Sequence, residues 1–268
     1  MFKTRLLSGI VLVAVLLFIV ILGGDFLLVF LAAVSVIGMT EIYKCKDIHK
    51  NLIGYGGYVC AVLYYLALRF GNELHIMAAV IGTVIILLAL YVITFPKYNS
   101  DQIFIGFFGV IYVAVMLSYI YRTRMLSDGA FVVWLIILAS WGCDVSAYLI
   151  GRKYGKHKLS PILSPKKSVE GAIGGIFGAA LAGFIYALLI NVFSVSALWD
   201  KLWIYPLICA VGAVISQFGD LAASGIKRNH DIKDFGKLIP GHGGIIDRFD
   251  SVIFVSPVIF YMALIMHL

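Results

Sequence analysis

At 268 residues the chain is long enough for one or two domains. However, 62% of it is hydrophobic, its mean hydropathy is +1.02 and only 13% is charged, against roughly 25% in soluble domains. A single soluble core of this length would leave much of that apolar surface facing water, which excludes a soluble globular protein and calls for a membrane. The net charge of +7 comes with no recognisable nucleic-acid-binding module, so no nucleic-acid partner is expected.

Lys3 and Arg5 precede an apolar run from Leu6 to Leu22, as in a signal peptide. Gly23, Gly24 and Asp25 then lead directly into a second apolar run with no small-residue cleavage site, so the first run reads as a retained span. A hydrocarbon core about 30 Å thick takes roughly 20 apolar residues per helix, fewer or more with tilt. Segments near 6–22, 25–42, 53–70, 75–95, 103–121, 129–150, 171–191, 202–226 and 247–267 meet that standard, the first two being short. These runs are continuous rather than alternating, which favours helices over a β-barrel. The expected fold is all-α: a polytopic membrane helical bundle of about nine transmembrane helices.

With the N-terminus placed in the cytoplasm, all of the 21 Lys and Arg fall on the inner side except Arg69, Arg122, Arg124 and Lys201. An error in span count or orientation would mix the two sets, so the bias supports both. The basic inner face would attract anionic headgroups or anionic substrates. Cys45, Cys60, Cys143 and Cys209 are scattered and read as small apolar fillers rather than a disulfide or zinc framework. Residues 1–268 form one integral membrane domain. Up to about residue 125 loops are short and spans carry few ionisable groups, which reads as scaffold; residues 126–268 hold acids, long loops and frequent Gly, which reads as the working half. No internal repeat of the inverted-repeat transporter kind is visible.

Asp144 lies inside the sixth span, with Tyr148 one turn on. The basic stretch that follows ends in Ser164-Pro165-Lys166-Lys167-Ser168-Val169-Glu170-Gly171, a Ser-containing turn opening a helix and therefore an anion cradle. It is not a Walker loop. Gly171, Gly174, Gly175, Gly178 and Gly183 give the next span a small-residue face suited to close helix packing.

The densest chemistry runs from Asp220 to Asp250. Helical spacing puts Ser216, Asp220, Ser224 and Lys227 on one face of the eighth span. Asp220 lies about two turns inside that apolar helix, where an ionised carboxylate must pair, face water or bind a cation. Asp247 and Asp250 share a face at the start of the ninth span. Asp220 and Asp247, with Asp250 close behind, supply the hard oxygens that Mg²⁺ prefers, and such sites use one or two carboxylates plus water and substrate phosphates. Lys227, Arg228, Lys233, Lys237 and Arg248 are interleaved with these acids, which points to a metal bridging to an anion. The turn Pro240-Gly241-His242-Gly243-Gly244 precedes a helix N-terminus whose free amides would favour phosphate. The plainer alternatives are a helix cap for Asp247 and interfacial anchors for the lysines.

From Ser224 to Asp250 the chain closely resembles the phosphatidate cytidylyltransferases, or CDP-diacylglycerol synthases. The family's elements stand here as Ser224, Lys227-Arg228, Lys233-Asp234, Gly236, Pro240, His242-Gly243-Gly244, Asp247-Arg248 and Asp250. The segment from Ser164 to Gly171 is also similar, although Ser168 stands where the family frequently has Thr. The resemblance covers about residues 140–255. It implies cytidylyl transfer from CTP to phosphatidic acid, giving CDP-diacylglycerol and pyrophosphate for phospholipid synthesis. Under it Asp220 and Asp247 become metal ligands for Mg²⁺, with Asp250 in support and room for a second cation. Lys227, Arg228, Lys233, Arg248, His242, Gly243 and Gly244 would hold phosphates; Ser224, Asp144, Lys166, Lys167 and Ser168 would complete the substrate-binding wall. The expected location is a bacterial cytoplasmic (inner) membrane with the active site facing the cytoplasm, and a homodimer is left open. The rival readings are a CTP-dependent lipid kinase of the polyprenol or phytol type and, further off, a transporter.

Overall fold

Each long apolar run becomes a helix. The structure, a computed structural model, describes residues 2–193, 202–241 and 243–268; Lys201 and His242 lie outside the described residues, and so do the side chains of Lys3 and Arg5. Among the described residues, eight helices are long and apolar enough to cross a membrane. The first predicted span is also helical, from Phe2 to Leu22. The protein is therefore an integral membrane protein built almost wholly from helices.

The chain divides into two compact units: Met1–Tyr121 with Ile232–Phe249, and Arg122–Asp231 with Asp250–Leu268. The basic loop before the last helix and that helix's first turn belong with the N-terminal helices.

The first unit contains α1 (Phe2–Leu22), α2 (Gly24–Lys44), α3 (Leu52–Phe70) and α4 (Glu73–Thr94). A continuous span follows, made of α5 (Ser100–Gly109), a π-helical turn (Val110–Val115) and the start of α6 (Met116–Arg124). Asn72 and Asn99 start α4 and α5 with reciprocal capping boxes to His75 and Gln102. Several polar side chains in the apolar packing bond between helices. Tyr43 donates its hydroxyl to the Gly106 carbonyl at 2.7 Å, Tyr64 pairs with Ser118 at 2.8 Å, and Ser35 with Tyr65 at 2.9 Å. Gly57 lies so close to the Tyr43 ring that a side chain there would displace it.

The second unit holds α7 (Gly129–Tyr154), α8 (Val169–Phe193), α9 (Ile204–Asn229) and the part of α10 (Ile246–Ile265) beyond Phe249. The glycine face of α8 packs as expected: a Cβ on Gly175 would stand 2.8 Å from Cys143 Sγ of α7. Cys60, Cys143 and Cys209 are buried free thiols, and Cys45 is a half-buried one. One departure from an all-helical chain is a small antiparallel hairpin of β1 (Lys158–Ser160) and β2 (Ser164–Ser168), placed where the sequence suggests only a basic turn.

Candidate active site

In the second unit the site begins at the end of α7. Asp144, Tyr148, Gly151 and Arg152 lie on successive turns, and α7 passes the β1–β2 hairpin directly to α8. Asp144, Arg152, Lys166, Lys167 and Ser168 line one cavity of about 300 Å³, together with Tyr148, Gln217 and the glycines of α7 and α8. The structure thus brings Asp144 and Lys166 to Ser168 together along one cavity. Gln217 donates to the Ala172 carbonyl at 2.9 Å, bracing α9 against α8 beside the cavity.

The hairpin is held by two local devices. Ser168 Oγ accepts the Gly171 amide at 3.1 Å, the bond of an N-cap on α8. Glu170 accepts the amides of Lys156 at 3.1 Å and His157 at 3.2 Å, and its Oε1 lies 2.6 Å from His157 Nδ1. The seat around Ser168 is tight, since a Cβ on Gly151 would stand 2.9 Å from its Oγ. Ser168 therefore serves the helix as well as lining the cavity. Ser168→Ala is expected to lower stability by about 1 kcal/mol, seen as a lower melting temperature in detergent, while Ser168→Thr keeps the cap.

Asp220 on α9 pairs with Lys167 from the hairpin, and both side chains are about one quarter exposed, at 26% and 27%. The pair answers the problem of a carboxylate inside an apolar span by giving it a cation. Ser216, one turn earlier on the same face, is fully buried with a hydroxyl that has no hydrogen-bond partner among the described residues. Ser224 and Lys227 continue the face and are half-buried, whereas Arg228 at the helix end is exposed. Asp250 lies close enough to Asp220, Asp144 and Lys227 for their charges to act on it. Its Oδ1 also accepts the Ser251 amide at 2.8 Å. These carboxylates and lysines form one electrostatic cluster.

The donor set can be tested against Mg²⁺. Among the described residues, no three His, Cys, Asp or Glu side chains converge into a ready-made cage. Mg²⁺ rarely uses one; it takes one or two carboxylates and fills its octahedron with water and substrate phosphates. Hard carboxylate oxygens at Asp220 and Asp250, beside lysines that would receive those phosphates, fit that mode.

In the first unit the loop 232–245 and the first turn of α10 carry the remaining residues. Lys233 and Lys237 are exposed, Arg248 is half-buried, and its Nε is buried with no hydrogen-bond partner among the described residues. Ile239 donates to the Gly243 carbonyl at 2.9 Å, closing the turn, and Gly243 takes a φ of 86°, which a residue with a side chain adopts only with strain.

The amides ahead of α10 are not free, contrary to the sequence expectation of a phosphate cradle there. Asp247 Oδ2 accepts Phe235 N–H at 2.8 Å and Gly244 N–H at 3.0 Å. Glu41 of α2 accepts Ile245 N–H on Oε1 and Ile246 N–H on Oε2, each at 2.9 Å. Two carboxylates from the protein thus hold the positions proposed for an anion. Asp247 is 7% exposed and Glu41 only 4%. Glu41 is the residue that sequence reasoning passed over, although the argument applied to Asp220, an acid inside an apolar span, applies to it equally.

Comparison with known proteins agrees with this picture. A model of the cytidylyltransferase family matches residues 3–266. Proteins named phosphatidate cytidylyltransferase are similar along nearly their whole length. That of Staphylococcus haemolyticus is 32% identical over 262 residues, and that of Staphylococcus saprophyticus 31% over 261. That of Staphylococcus aureus is 31% identical over 264 residues, and in all three cases 96% of this chain and 97% of the relative are covered. A family match over nearly all of the chain, with relatives this similar end to end, means that the chain belongs to the cytidylyltransferase family.

Proposed function

We propose that the chain transfers a cytidylyl group from CTP to phosphatidic acid, releasing pyrophosphate and leaving CDP-diacylglycerol in the membrane. The observation that carries this reading is the cavity of the second unit, where Arg152, Lys166 and Lys167 stand beside Asp144 and the Lys167–Asp220 pair. Such a site suits polyphosphate and a divalent cation together, and the names of the relatives supply the matching reaction.

In the reaction, an oxygen of the lipid phosphate forms a bond to the α-phosphorus of CTP. The bond from that phosphorus to the oxygen bridging to the β-phosphate breaks, and its electrons leave with pyrophosphate. A phosphomonoester has a second pKa near 6, so the attacking oxygen is already largely ionised at neutral pH and needs no strong base. The protein's task is to bring two polyanions together and to stabilise charge on the transferred and leaving groups. Lys166, Lys167, Lys227 and Arg228 in the second unit, and Lys233 and Arg248 in the first, are the proposed phosphate-holding side chains. Asp220 and Asp250 would hold Mg²⁺, and Asp247 is a further proposed ligand. Bound there, the cation would neutralise phosphate charge and stabilise the departing pyrophosphate.

We also place the basic residues on the cytoplasmic side of a bacterial inner membrane, from which CTP arrives. A phosphate-transferring lipid kinase would use the same cofactor, but no observation favours it. The test is an assay of CTP and phosphatidic acid with and without Mg²⁺, measuring lipid product and pyrophosphate. Equal amounts of both products, lost on chelation, are expected; solute movement without a CDP-lipid would overturn the reading.

Lys227 has a separate expectation. Lys227→Ala is expected to lower kcat/KM roughly tenfold or more, the effect of losing a charged hydrogen bond to phosphate. Unchanged kinetics for both substrates would make Lys227 an interfacial anchor.

A further inference from the structure

The first turn of α10 is gripped from two directions. Asp247 holds the amides of Phe235 and Gly244, and Glu41, over 200 residues away in sequence, holds those of Ile245 and Ile246. The grip by Glu41 is built closely. A Cβ on Gly236 or Gly244 would collide with its carboxylate, and a Cβ on Gly38, one turn earlier on α2, would stand 2.9 Å from the Ile246 side chain. Only glycines at these places let α2 and the loop approach so near. Glu41 and Asp247 are also close enough for their charges to interact. Two buried carboxylates repel at this range, and the amides and dipole of the α10 N-terminus offset that repulsion. An apolar residue at position 41 would keep the helix packed but would leave two buried N–H groups unpaired.

We propose that Glu41 is a positioning residue for Asp247: by holding the amides of Ile245 and Ile246 from α2, it fixes where the Asp247 carboxylate stands. The inference rests on the reading of Asp247 as part of the active site. The proposed role of Glu41 is not substrate contact. It acts through the backbone of residues 245–246, and a carboxylate is required because two adjacent N–H groups need two acceptor oxygens. Gln supplies one acceptor and turns an N–H₂ donor toward the other amide. Asp keeps both oxygens but ends one methylene short of the loop.

The experiment compares full-length wild type, Glu41→Gln, Glu41→Asp and Asp247→Asn in detergent micelles. It measures hydrogen exchange over residues 243–248, melting temperature, and kcat and KM for CTP. Glu41→Gln is expected to speed exchange over this segment and to lower kcat about tenfold or more, as for a misplaced catalytic group. KM for CTP should stay within about threefold, because the contact acts on the transition state rather than on binding. Glu41→Asp should restore less than half of the lost turnover. Turnover lost in Asp247→Asn but kept in Glu41→Gln overturns the inference alone, and so does unchanged exchange in Glu41→Gln. Turnover kept in Asp247→Asn overturns the underlying reading and the inference with it. A Glu41→Gln chain that no longer folds makes Glu41 a folding residue, which also overturns positioning.

Discussion

Asp247→Asn is expected to leave a folded chain with less than about a tenth of wild-type turnover, whereas Asp247→Ala should also loosen the loop before α10. The difference follows from how the carboxylate is used. Oδ2 accepts two amides, from Phe235 and Gly244. An Asn side chain can turn its carbonyl oxygen to those same donors, so the cap survives. What it loses is the negative charge and the second oxygen, the features a metal ligand needs. Ligating carboxylates are commonly held by hydrogen bonds in this way, so the cap does not argue against the metal role. Alanine removes both functions and leaves two buried N–H groups unpaired, each costing about 1–3 kcal/mol. If Asp247 were only a cap, Asn would retain most of the activity and only Ala would fail. Turnover and melting temperature measured on the two variants separate these outcomes.

The second large effect is expected at the Lys167–Asp220 pair. Both groups are about one quarter exposed, so as a structural ion pair it is worth about 1 kcal/mol or less. As part of the active site it is worth far more. Asp220→Asn removes a proposed metal ligand, and Lys167→Ala removes a proposed phosphate contact and leaves Asp220 without this cation. Each is expected to reduce kcat/KM by about a hundredfold or more while shifting stability little. The double variant should be scarcely worse than either single one, because residues acting as one unit give strongly non-additive losses. A melting temperature that falls sharply with near-normal kinetics would show instead a structural pair.

The helices were legible because a bilayer imposes a plain length requirement, and the runs at 53–70, 75–95 and 129–150 meet it with helices of closely matching bounds. The segments that use other physics were not. The β1–β2 hairpin is short and rich in Lys and Ser, with neither apolar alternation nor a Gly-containing two-residue turn to announce strands. The π-helical turn at Val110–Val115 lies in uniformly apolar sequence, where periodicity carries no mark of a changed hydrogen-bond pattern.

The site shows the same division. The wall of Asp144, Lys166, Lys167 and Ser168 was readable because an acid in a span and a basic Ser-bearing helix start each declare themselves locally. The pairing of Lys167 with Asp220 depends on the β1–β2 hairpin, which carries Lys167 to α9 and which no local pattern announces. The amides before α10 looked free because their acceptor, Glu41, lies some 200 residues earlier in the chain. No local pattern encodes that contact. It was detectable only by asking what partner a buried acid at the end of α2 must find.

In the proposed reaction cytidylate, not a terminal phosphate, moves onto the lipid. The most direct measurement gives the purified chain phosphatidic acid, Mg²⁺ and CTP carrying one label on cytidine and another on the γ-phosphate. The cytidine label is expected to enter the lipid while the γ-label leaves as pyrophosphate. Lipid carrying the γ-label without cytidine would contradict this reaction.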